Sequence, residues 1–597
     1  MQSAMTAGRP GRQLRLAHVL LLALAPLAAP VLAGMLRASL GLPLRTAQAS
    51  GAALVVVALA AFLLGRRPAP LDRRAAAGSL AFLLAACLLA WLGYWSRYWE
   101  GLVSLGGGDV GVHTLLRQEF IERDPRPYFG FVTFYAVTDA AARLLGPEVF
   151  AALRAGFFAT VLGAILCLAA AVAAVGPGYG RGAWAALGGL ALLVLNLAFF
   201  PLLHYHQADG FYPHLFGVVP LLAAWVLYGL AGAPLARTAV LLAWAVTTRF
   251  TYGLNLGDVL LAGAALAAWD SRAAGPGLPR LLGRALAACL AAAGLYSYAL
   301  LVPMAPHSGA FRMPFLPLTF AGEALLAWWL FALPGRARRR GVEMPPEARR
   351  LAAFAGSFAA VNLAAQAAVL LSGLPLAYYF FKYHFHAVAL LMAAVLVLLP
   401  FVAGPALAGR GLAPDSRRGL RRWSIAGLLG LVLLGGANGR YLSSYRELLF
   451  GHPPWLRFRP LADREGIRRI QAALQAEGKA FGGLVSSSWP LLHFANGALG
   501  HAGLASTRQW PEAVELGRTI PAPGACAFWY TGPREMAEAE RQLEYGGAGL
   551  PQLLAELDAR PGVRCEEHPA TWDPARTLRL CRLCLDAGAP SGGAAPR

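Results

Sequence analysis

The sequence is poor in charged residues and, among its basic residues, in lysine. Only 14% of the 597 residues are Asp, Glu, Lys or Arg, whereas soluble domains carry about 25%. The hydrophobic fraction is 57% and the mean hydropathy is +0.52, which excludes an ordinary soluble protein. Lysine supplies two of the 52 basic residues, Lys382 and Lys479. The net charge of +21 therefore comes almost entirely from arginine. The positions of the arginines show whether this charge indicates nucleic-acid binding or orientation in a membrane.

Several sequence motifs of catalysis and transport are also missing. The chain has no Walker motif, dinucleotide-binding fingerprint, His-Glu-x-x-His pair or nucleophile elbow. These absences argue against cytosolic nucleotide chemistry. The sequence also has no internal repeat, a feature that many transporters show.

Apolar runs dominate what is present. Thirteen of them are long enough, or nearly so, to cross about 30 Å of hydrocarbon. They lie at 16–36, 51–65, 77–95, 151–175, 184–203, 213–231, 238–250, 254–269, 283–303, 315–333, 351–373, 387–409 and 423–436. The pair 238–250 and 254–269 also fits a single broken or re-entrant hairpin. We predict a mainly α polytopic membrane protein with about 13 transmembrane helices over residues 1–439 and a first outer loop at 96–150.

Arginine sets the predicted orientation. With the N-terminus in the cytoplasm, the inner segments carry 23 arginines and the short outer loops only five basic residues. This asymmetry follows the positive-inside rule, so we read the charge as orientation in a plasma membrane and expect no nucleic-acid partner. Eleven of the twelve histidines then fall on the outer side. Polar chemistry is therefore predicted at the outer face.

An odd number of helices places the C-terminal region outside. Amphipathic pieces alternate there with short strand-like runs, which predicts an extracytoplasmic α/β domain over residues 440–587 and a disordered tail over 588–597. Its four cysteines favour one or two disulfides in an oxidising compartment. They are Cys526, Cys565, Cys581 and Cys584. Half a zinc site at Cys581 and Cys584 is the alternative.

The first outer loop carries the strongest catalytic candidate. Asp109 follows three glycines, and a carboxylate at a membrane boundary is costly unless it is paired or functional. His113 and Arg117 follow at four-residue intervals, so one helical face would hold all three. Together they offer a general base, a polar partner and an anion contact; the alternative is a solvated loop helix. The aromatic and proline-rich segment 124–131, followed by Tyr135, predicts a loop at the membrane interface, as an aromatic belt or in contact with substrate.

Further candidates lie in later outer loops. His204, His206 and Asp209 suit water, sugar or phosphate, or a divalent cation. Arg249, near the outer end of a predicted helix, suits a lipid phosphate or snorkels to the interface.

A late aromatic segment adds two more candidates, and an earlier apolar run adds a third. Lys382 and His384 lie within Tyr-Tyr-Phe-Phe-Lys-Tyr-His, where an ammonium among aromatics suits a phosphate head group or acts as an interfacial anchor. Glu323 lies inside an apolar run and is expensive there unless it is paired.

This layout resembles the GT-C superfamily of polytopic glycosyltransferases. The segment from Gly107 to His113, with Tyr128 and Tyr135, is similar to the first loop of actinobacterial arabinofuranosyltransferases of cell-wall assembly, and the segment around Lys382 is similar to their late outer loops. Many members carry two adjacent acidic residues where this chain has Asp109 alone, so a divalent cation is left open as a cofactor.

The resemblance implies a function. It implies transfer of a sugar from a polyprenyl-phosphate donor to an envelope glycan, lipid or protein acceptor on the outer face. Asp109 would act as the catalytic base, and the cationic residues would bind the donor phosphate. A transporter or flippase of envelope precursors, another lipid-linked transferase or ligase, and a membrane-anchored scaffold are the competing interpretations.

Overall fold

The computed structural model of the chain shows a helical bundle followed by a small sheet. The residues that it describes are 13–64, 66–90, 113, 117, 120–121, 131–145, 149–194, 212–273, 276–301, 316–371, 378–408, 413–436, 464–485, 523–531, 555–570 and 573–587. Asp109, His204, His206 and Asp209 lie outside these ranges, as does the predicted disordered tail.

Helices form wherever the sequence is rich in Ala and Leu, the residues that lose least on entering a helix. They are α1 (Leu16–Leu22), α2 (Ala25–Leu40), α3 (Leu44–Leu63), α4 (Arg73–Ala90), α5 (Val132–Leu145), α6 (Val149–Val175), α7 (Arg181–Val194), α8 (Tyr212–Phe216), α9 (Val218–Leu230), α10 (Pro234–Tyr252), α11 (Leu256–Ala273), α12 (Leu278–Leu301), α13 (Leu316–Arg339), α14 (Pro346–Leu371), α15 (Tyr378–Leu398), α16 (Pro400–Ala408), α17 (Pro414–Gly436) and α18 (Arg464–Glu477). Every predicted apolar run overlaps at least one of them.

Nine helical segments in the described ranges are long and apolar enough to cross a membrane. The bent pair α1 and α2, which meet at 50°, would make a tenth. The mainly helical class is thus confirmed, whereas the count of about thirteen spanning helices remains a prediction.

One of the nine segments, Pro234–Arg272, is 39 residues long and contains both α10 and α11. It is a hairpin rather than one rod, because Arg237 Nε lies 2.8 Å from Asp270 Oδ2. A straight helix would separate these two positions by about 50 Å. The reversal takes place in a 3₁₀ turn at Gly253–Asn255. The two helices thus run antiparallel, and whether they form one re-entrant hairpin or two separate spans remains a prediction.

Segments predicted to share the inner side meet at one end of the bundle. Arg15 near the N-terminus pairs with Glu347 at the start of α14, at 2.9 Å. Arg350 donates to the carbonyl oxygen of Gly229, at the end of α9. These contacts join three segments that the arginine pattern assigned to one face.

Segments predicted to share the outer side meet at the opposite end. Arg37 on α2 donates to the carbonyl oxygen of Phe120 in the first outer loop, at 3.0 Å. Thr133 on α5 and Thr251 on α10 hydrogen-bond at 2.8 Å. We call this the outer end of the bundle.

Helix α5 was not predicted from the sequence. It begins at Val132, directly after the loop predicted at 124–131, most of which lies outside the described residues; Phe134 and Tyr135 on the helix are fully buried. Its buried face packs between α2 and α6. The helix was missed because Thr133, Thr138 and Asp139 interrupt the apolar pattern, although all three are buried against neighbouring helices.

Helix α15 is the axis of the bundle. In the segment His384–Ala406, 94% of the residues in the most apolar stretch are buried. The corresponding share is only 17% in α3 and in α12. Helices α9, α13, α14 and α17 all contact α15. His384, Phe385 and His386 are therefore buried inside the bundle, close to its outer end.

The C-terminal unit is a four-stranded mixed sheet with α18 beside it. Two short pairing segments near the N-terminus are β1 (Gln13–Leu14) and β2 (Arg67–Pro68); the sheet contains β3 (Ala480–Val485), β4 (Ala525–Thr531), β5 (Arg564–Ala570) and β6 (Asp573–Cys584). The order is β3-β4-β6-β5, with β3 and β4 parallel and the other pairs antiparallel. β5 was not predicted, since charged Glu566 and Glu567 fill the middle of this edge strand.

All four cysteines of this unit are paired across β6. Cys526 on β4 bonds to Cys584, and Cys565 on β5 bonds to Cys581. Each pair is directly opposite in the strand register. Both cysteines of the alternative zinc half-site are therefore occupied in disulfides.

Removing the longer disulfide should destabilise the sheet more than removing the shorter one. The bonded cysteines are 58 and 16 residues apart, which corresponds to about 4 and about 3 kcal/mol of chain-entropy stabilisation. The variants are Cys526→Ala with Cys584→Ala, and Cys565→Ala with Cys581→Ala. Limited proteolysis of the C-terminal unit measures the effect. Cys289→Ala, a free cysteine on α12, is the control, and equal stability of all three proteins would contradict the prediction.

Candidate functional site

A cluster of buried polar side chains occupies the outer end of the bundle, and we call it the outer polar layer. Its members come from six elements and each is at most 4% exposed. They are His214, Asn255, Asp258, Glu323, Asn362, Gln366, His384 and His386. Burying such groups among apolar helices is costly unless they bond to one another or serve a function.

Asp258 is the first carboxylate of this layer. It lies in the first turn of α11, where the partial positive charge of a helix N-terminus favours an anion. Its Oδ2 accepts a hydrogen bond from Asn362 Nδ2 at 2.7 Å, and Asn362 Oδ1 accepts one from Gln366 Nε2 at 3.2 Å. Asn362 and Gln366 are one turn apart on α14, so a row of amides leads to the carboxylate.

Glu323 is the second carboxylate and is completely buried on α13. Its Oε2 lies 2.8 Å from His384 Nδ1 on α15, the separation of an ion pair when the imidazole is protonated. The ring is not aligned for a linear hydrogen bond to the carboxylate. The expectation that Glu323 requires a partner is met by a residue predicted to belong to the site.

His386 and His214 form a stacked imidazole pair. Their ring centroids are 4.4 Å apart and the planes differ by 8°. His386 Nε2 donates to the carbonyl oxygen of His214 at 2.8 Å, and its Nδ1 contacts the Asn255 amide. These two bonds fit the neutral tautomer with the proton on Nε2. Gly217 makes room for the ring, because a Cβ there would lie 2.7 Å from His386 Cε1.

His113 and Arg117 share a helical face, as their spacing predicted, and that face is buried against α5. His113 Nδ1 lies 2.8 Å from the Tyr135 hydroxyl. Arg117 Nε donates to Thr138 Oγ1 at 3.2 Å, and its guanidinium lies 3.8 Å from Asp139 Oδ1. The positive charge of Arg117 therefore faces a carboxylate of the protein, and both residues anchor the first outer loop.

A chain of ring contacts connects this loop to the outer polar layer. His113 contacts Phe131 at a centroid distance of 5.4 Å, and Phe131 contacts Tyr252 at 5.8 Å. Tyr252 in turn contacts His214 at 4.7 Å. The loop that carries Asp109 is thus coupled by packing to the buried histidines.

The other predicted site residues are placed in part. Arg249 is in the last turn of α10 and exposed. Lys382 belongs to α15, but its side chain is outside the described part of the chain. The expected convergence of Asp109, Lys382 and Arg249 on one cavity therefore remains a prediction.

Sequence reasoning missed Asp258, Asn255, Asn362 and Gln366. The available signal was their polarity within, or at the edge of, apolar runs. Asn362 and Gln366 are spaced by one helical turn inside the run 351–373, which marks one polar stripe facing the bundle interior.

An apolar groove of about 560 Å³ runs between α4 and α7. Small residues of α4, among them Ala81 and Ala85, line one wall, and Trp184 and Leu187 of α7 line the other. Arg74 and Arg181 lie at its inner end. Along the chain, α4 leads into the loop that carries Asp109, and α7 leads into the segment with His204, His206 and Asp209.

In the described residues, one group of three side chains comes close enough to hold a metal ion: Asp558, Cys565 and Cys581. Both sulfur atoms belong to a disulfide, so this group does not offer thiolate ligands.

The fold and these contacts define a mainly helical protein with candidate membrane-spanning segments, a buried polar layer at one end and a disulfide-bonded C-terminal sheet. No protein-family model matches the sequence, and a comparison with curated proteins finds no match either.

Proposed function

We propose that this protein is a membrane glycosyltransferase that moves a sugar from a polyprenyl-phosphate donor to an envelope glycan, lipid or protein acceptor on the outer face. The supporting observation is the apolar groove between α4 and α7. Along the chain, α4 is followed by the loop that carries Asp109, and α7 by the segment that carries His204. An isoprenoid chain matches such a groove in polarity. Arabinosyl transfer in cell-wall assembly is the specific form suggested by the first-loop resemblance.

The chemistry assigns separate tasks to the loop residues. Asp109 removes the proton from the acceptor hydroxyl as its oxygen attacks the anomeric carbon. The bond from that carbon to the phosphate oxygen breaks, and the lipid phosphate departs as an anion. This leaving group requires charge stabilisation rather than a proton, which Lys382 and Arg249 would provide. His113 and Arg117 position the loop, since both are engaged with α5.

Filling the groove should weaken donor binding. Ala81 and Ala85 both line it and are exposed, so Ala81→Trp with Ala85→Trp should occupy the space of an isoprenoid unit. The KM for a polyprenyl-phosphate sugar is expected to rise about tenfold, the effect of losing roughly two buried methylene groups. Initial rates over a range of donor concentrations measure this change.

Leu84→Trp is the matched control, because Leu84 is 70% exposed on α4 and does not line the groove. It should leave the KM within about twofold of the parent value, a difference worth under 1 kcal/mol. Equal KM values for the two variants would remove the groove from the proposal.

A transporter or flippase of envelope precursors is the second candidate. The observation that favours it is the burial of Asp258 and Glu323 inside candidate spans, since intramembrane carboxylates often mark ion pathways. Proteoliposome uptake of a labelled precursor separates the two functions. Glu323→Gln should stop ion-coupled uptake in a transporter, whereas Asp109→Asn should stop sugar transfer in a transferase.

A further inference from the structure

A polar cavity lies at the inner end of the bundle, opposite the outer polar layer, between the end of α13 and the start of α17. Its volume is about 390 Å³. Four arginines line it: Arg336 in α13, Arg340 just after that helix, and Arg418 and Arg422 in α17; Asp415 is the acidic side chain of the lining. We call it the arginine pocket. Four positive charges against one negative charge make it an anion-binding cavity.

Arg340 and Gly419 fix the geometry of the pocket, whereas Arg336, Arg418 and Arg422 are exposed. Arg340 donates a hydrogen bond to the backbone carbonyl oxygen of Asp415 at 3.1 Å. This bond does not involve the Asp415 carboxylate. The Arg340 guanidinium lies directly over Gly419, where a Cβ would come within 2.5 Å of its Cζ. The absence of a side chain at Gly419 therefore gives the pocket its floor.

Trp423 adds an aromatic ring to the pocket lining and connects the pocket to the bundle surface. Arg336 stacks over its ring at 5.4 Å from the centroid. The indole Nε1 is buried, so Trp423 offers a ligand its ring face rather than its N–H.

An exposed apolar strip rises from the pocket along the same two helices. The Trp423 ring packs on Trp328 at 4.8 Å, and Trp328 is 50% exposed. Phe331 on α13 and Ile425 on α17 are 52% and 62% exposed. A ligand seated in the pocket would thus have its charged part among the arginines and apolar surface next to it.

We propose that the arginine pocket binds the head group of an anionic phospholipid, whose acyl chains lie along the strip of Trp328, Phe331 and Ile425. Guanidinium groups bind phosphate oxygens through paired hydrogen bonds, and basic pockets between helices at the cytoplasmic side suit phospholipid head groups. The exposed strip favours a lipid over a free phosphate, which would make no use of it. This site is independent of the sugar-transfer chemistry and lies at the other end of the bundle.

The test uses the purified full-length chain and native mass spectrometry. The probes are cardiolipin, phosphatidylcholine and inorganic pyrophosphate. Cardiolipin should bind well above phosphatidylcholine. Arg418→Gln with Arg422→Gln should weaken cardiolipin binding about thirtyfold, from the attraction of an anionic lipid to two arginines. Arg338→Gln with Arg339→Gln removes the same charge beside the pocket and should change the affinity less than threefold, a difference of about 0.6 kcal/mol.

Gly419→Leu is a second variant for the same binding measurement, and it leaves every charged residue in place. Its side chain should occupy the floor and displace the Arg340 guanidinium, so cardiolipin affinity should fall although the net charge is unchanged. Three results would each overturn the proposal: equal losses in the two arginine pairs, pyrophosphate binding as tight as that of cardiolipin, or full affinity in Gly419→Leu. The first would mean diffuse surface charge, and the second a site for a free anion.

Discussion

Replacing Asp109 by Asn is expected to lower the rate of sugar transfer by about 10²–10⁴-fold, the contribution of a general base. The amide keeps the size of the side chain but cannot accept the proton of the acceptor hydroxyl. The measurement is transfer from a labelled polyprenyl-phosphate sugar by membranes that contain the variant. Because Asp109 acts on the acceptor, kcat should fall while the KM for the donor stays near its parent value.

Glu119→Gln is the control for this experiment, because Glu119 belongs to the same loop and is predicted to be solvated. It should retain transfer within about twofold, well below the contribution of a catalytic base. Normal transfer by Asp109→Asn would refute the catalytic assignment. Equal loss in both variants would show that the loop, rather than one carboxylate, had been damaged.

The second large effect is expected at His384. Its imidazole lies 2.8 Å from Glu323 Oε2, and both side chains are at most 2% exposed. His384→Ala removes the partner and leaves a buried carboxylate uncompensated, which costs about 3–5 kcal/mol. Thermal unfolding of the purified chain in detergent should therefore show a marked loss of stability.

The double variant Glu323→Leu with His384→Leu separates two explanations of that loss. Replacing both members of a buried pair by apolar side chains is often neutral or stabilising by about 1–4 kcal/mol. We expect the double variant to be more stable than His384→Ala. If it is less stable, the loss reflects the packing of α13 against α15 rather than the unpaired charge.

The helical region was largely predictable because apolar runs report burial directly. The inner contacts of Arg15 with Glu347, and the outer contact of Thr133 with Thr251, join segments that the arginine pattern had placed on common sides. Assigning a segment to one side requires only its place in the order of apolar runs, which alternate across the membrane, and the arginines that lie between those runs.

The polar layer was less predictable, since it depends on which helices become neighbours. His384 was selected for its aromatic context, yet its contact is Glu323, 61 positions earlier in the chain. Asp258 meets Asn362 only because α11 packs on α14. No spacing rule within one helix identifies such pairs. Helix α5 was missed for a related reason: Thr133 and Thr138 are polar in sequence but bonded in the fold.

The α10–α11 hairpin also constrains how the chain enters a bilayer. Its two arms are joined by only three residues, Gly253–Asn255, so hardly any polar chain has to be carried across with them. At the open end, the ion pair of Arg237 with Asp270 holds the two arms together. We therefore expect the two arms to insert together as one unit, with their orientation imposed by the arginines of the neighbouring segments.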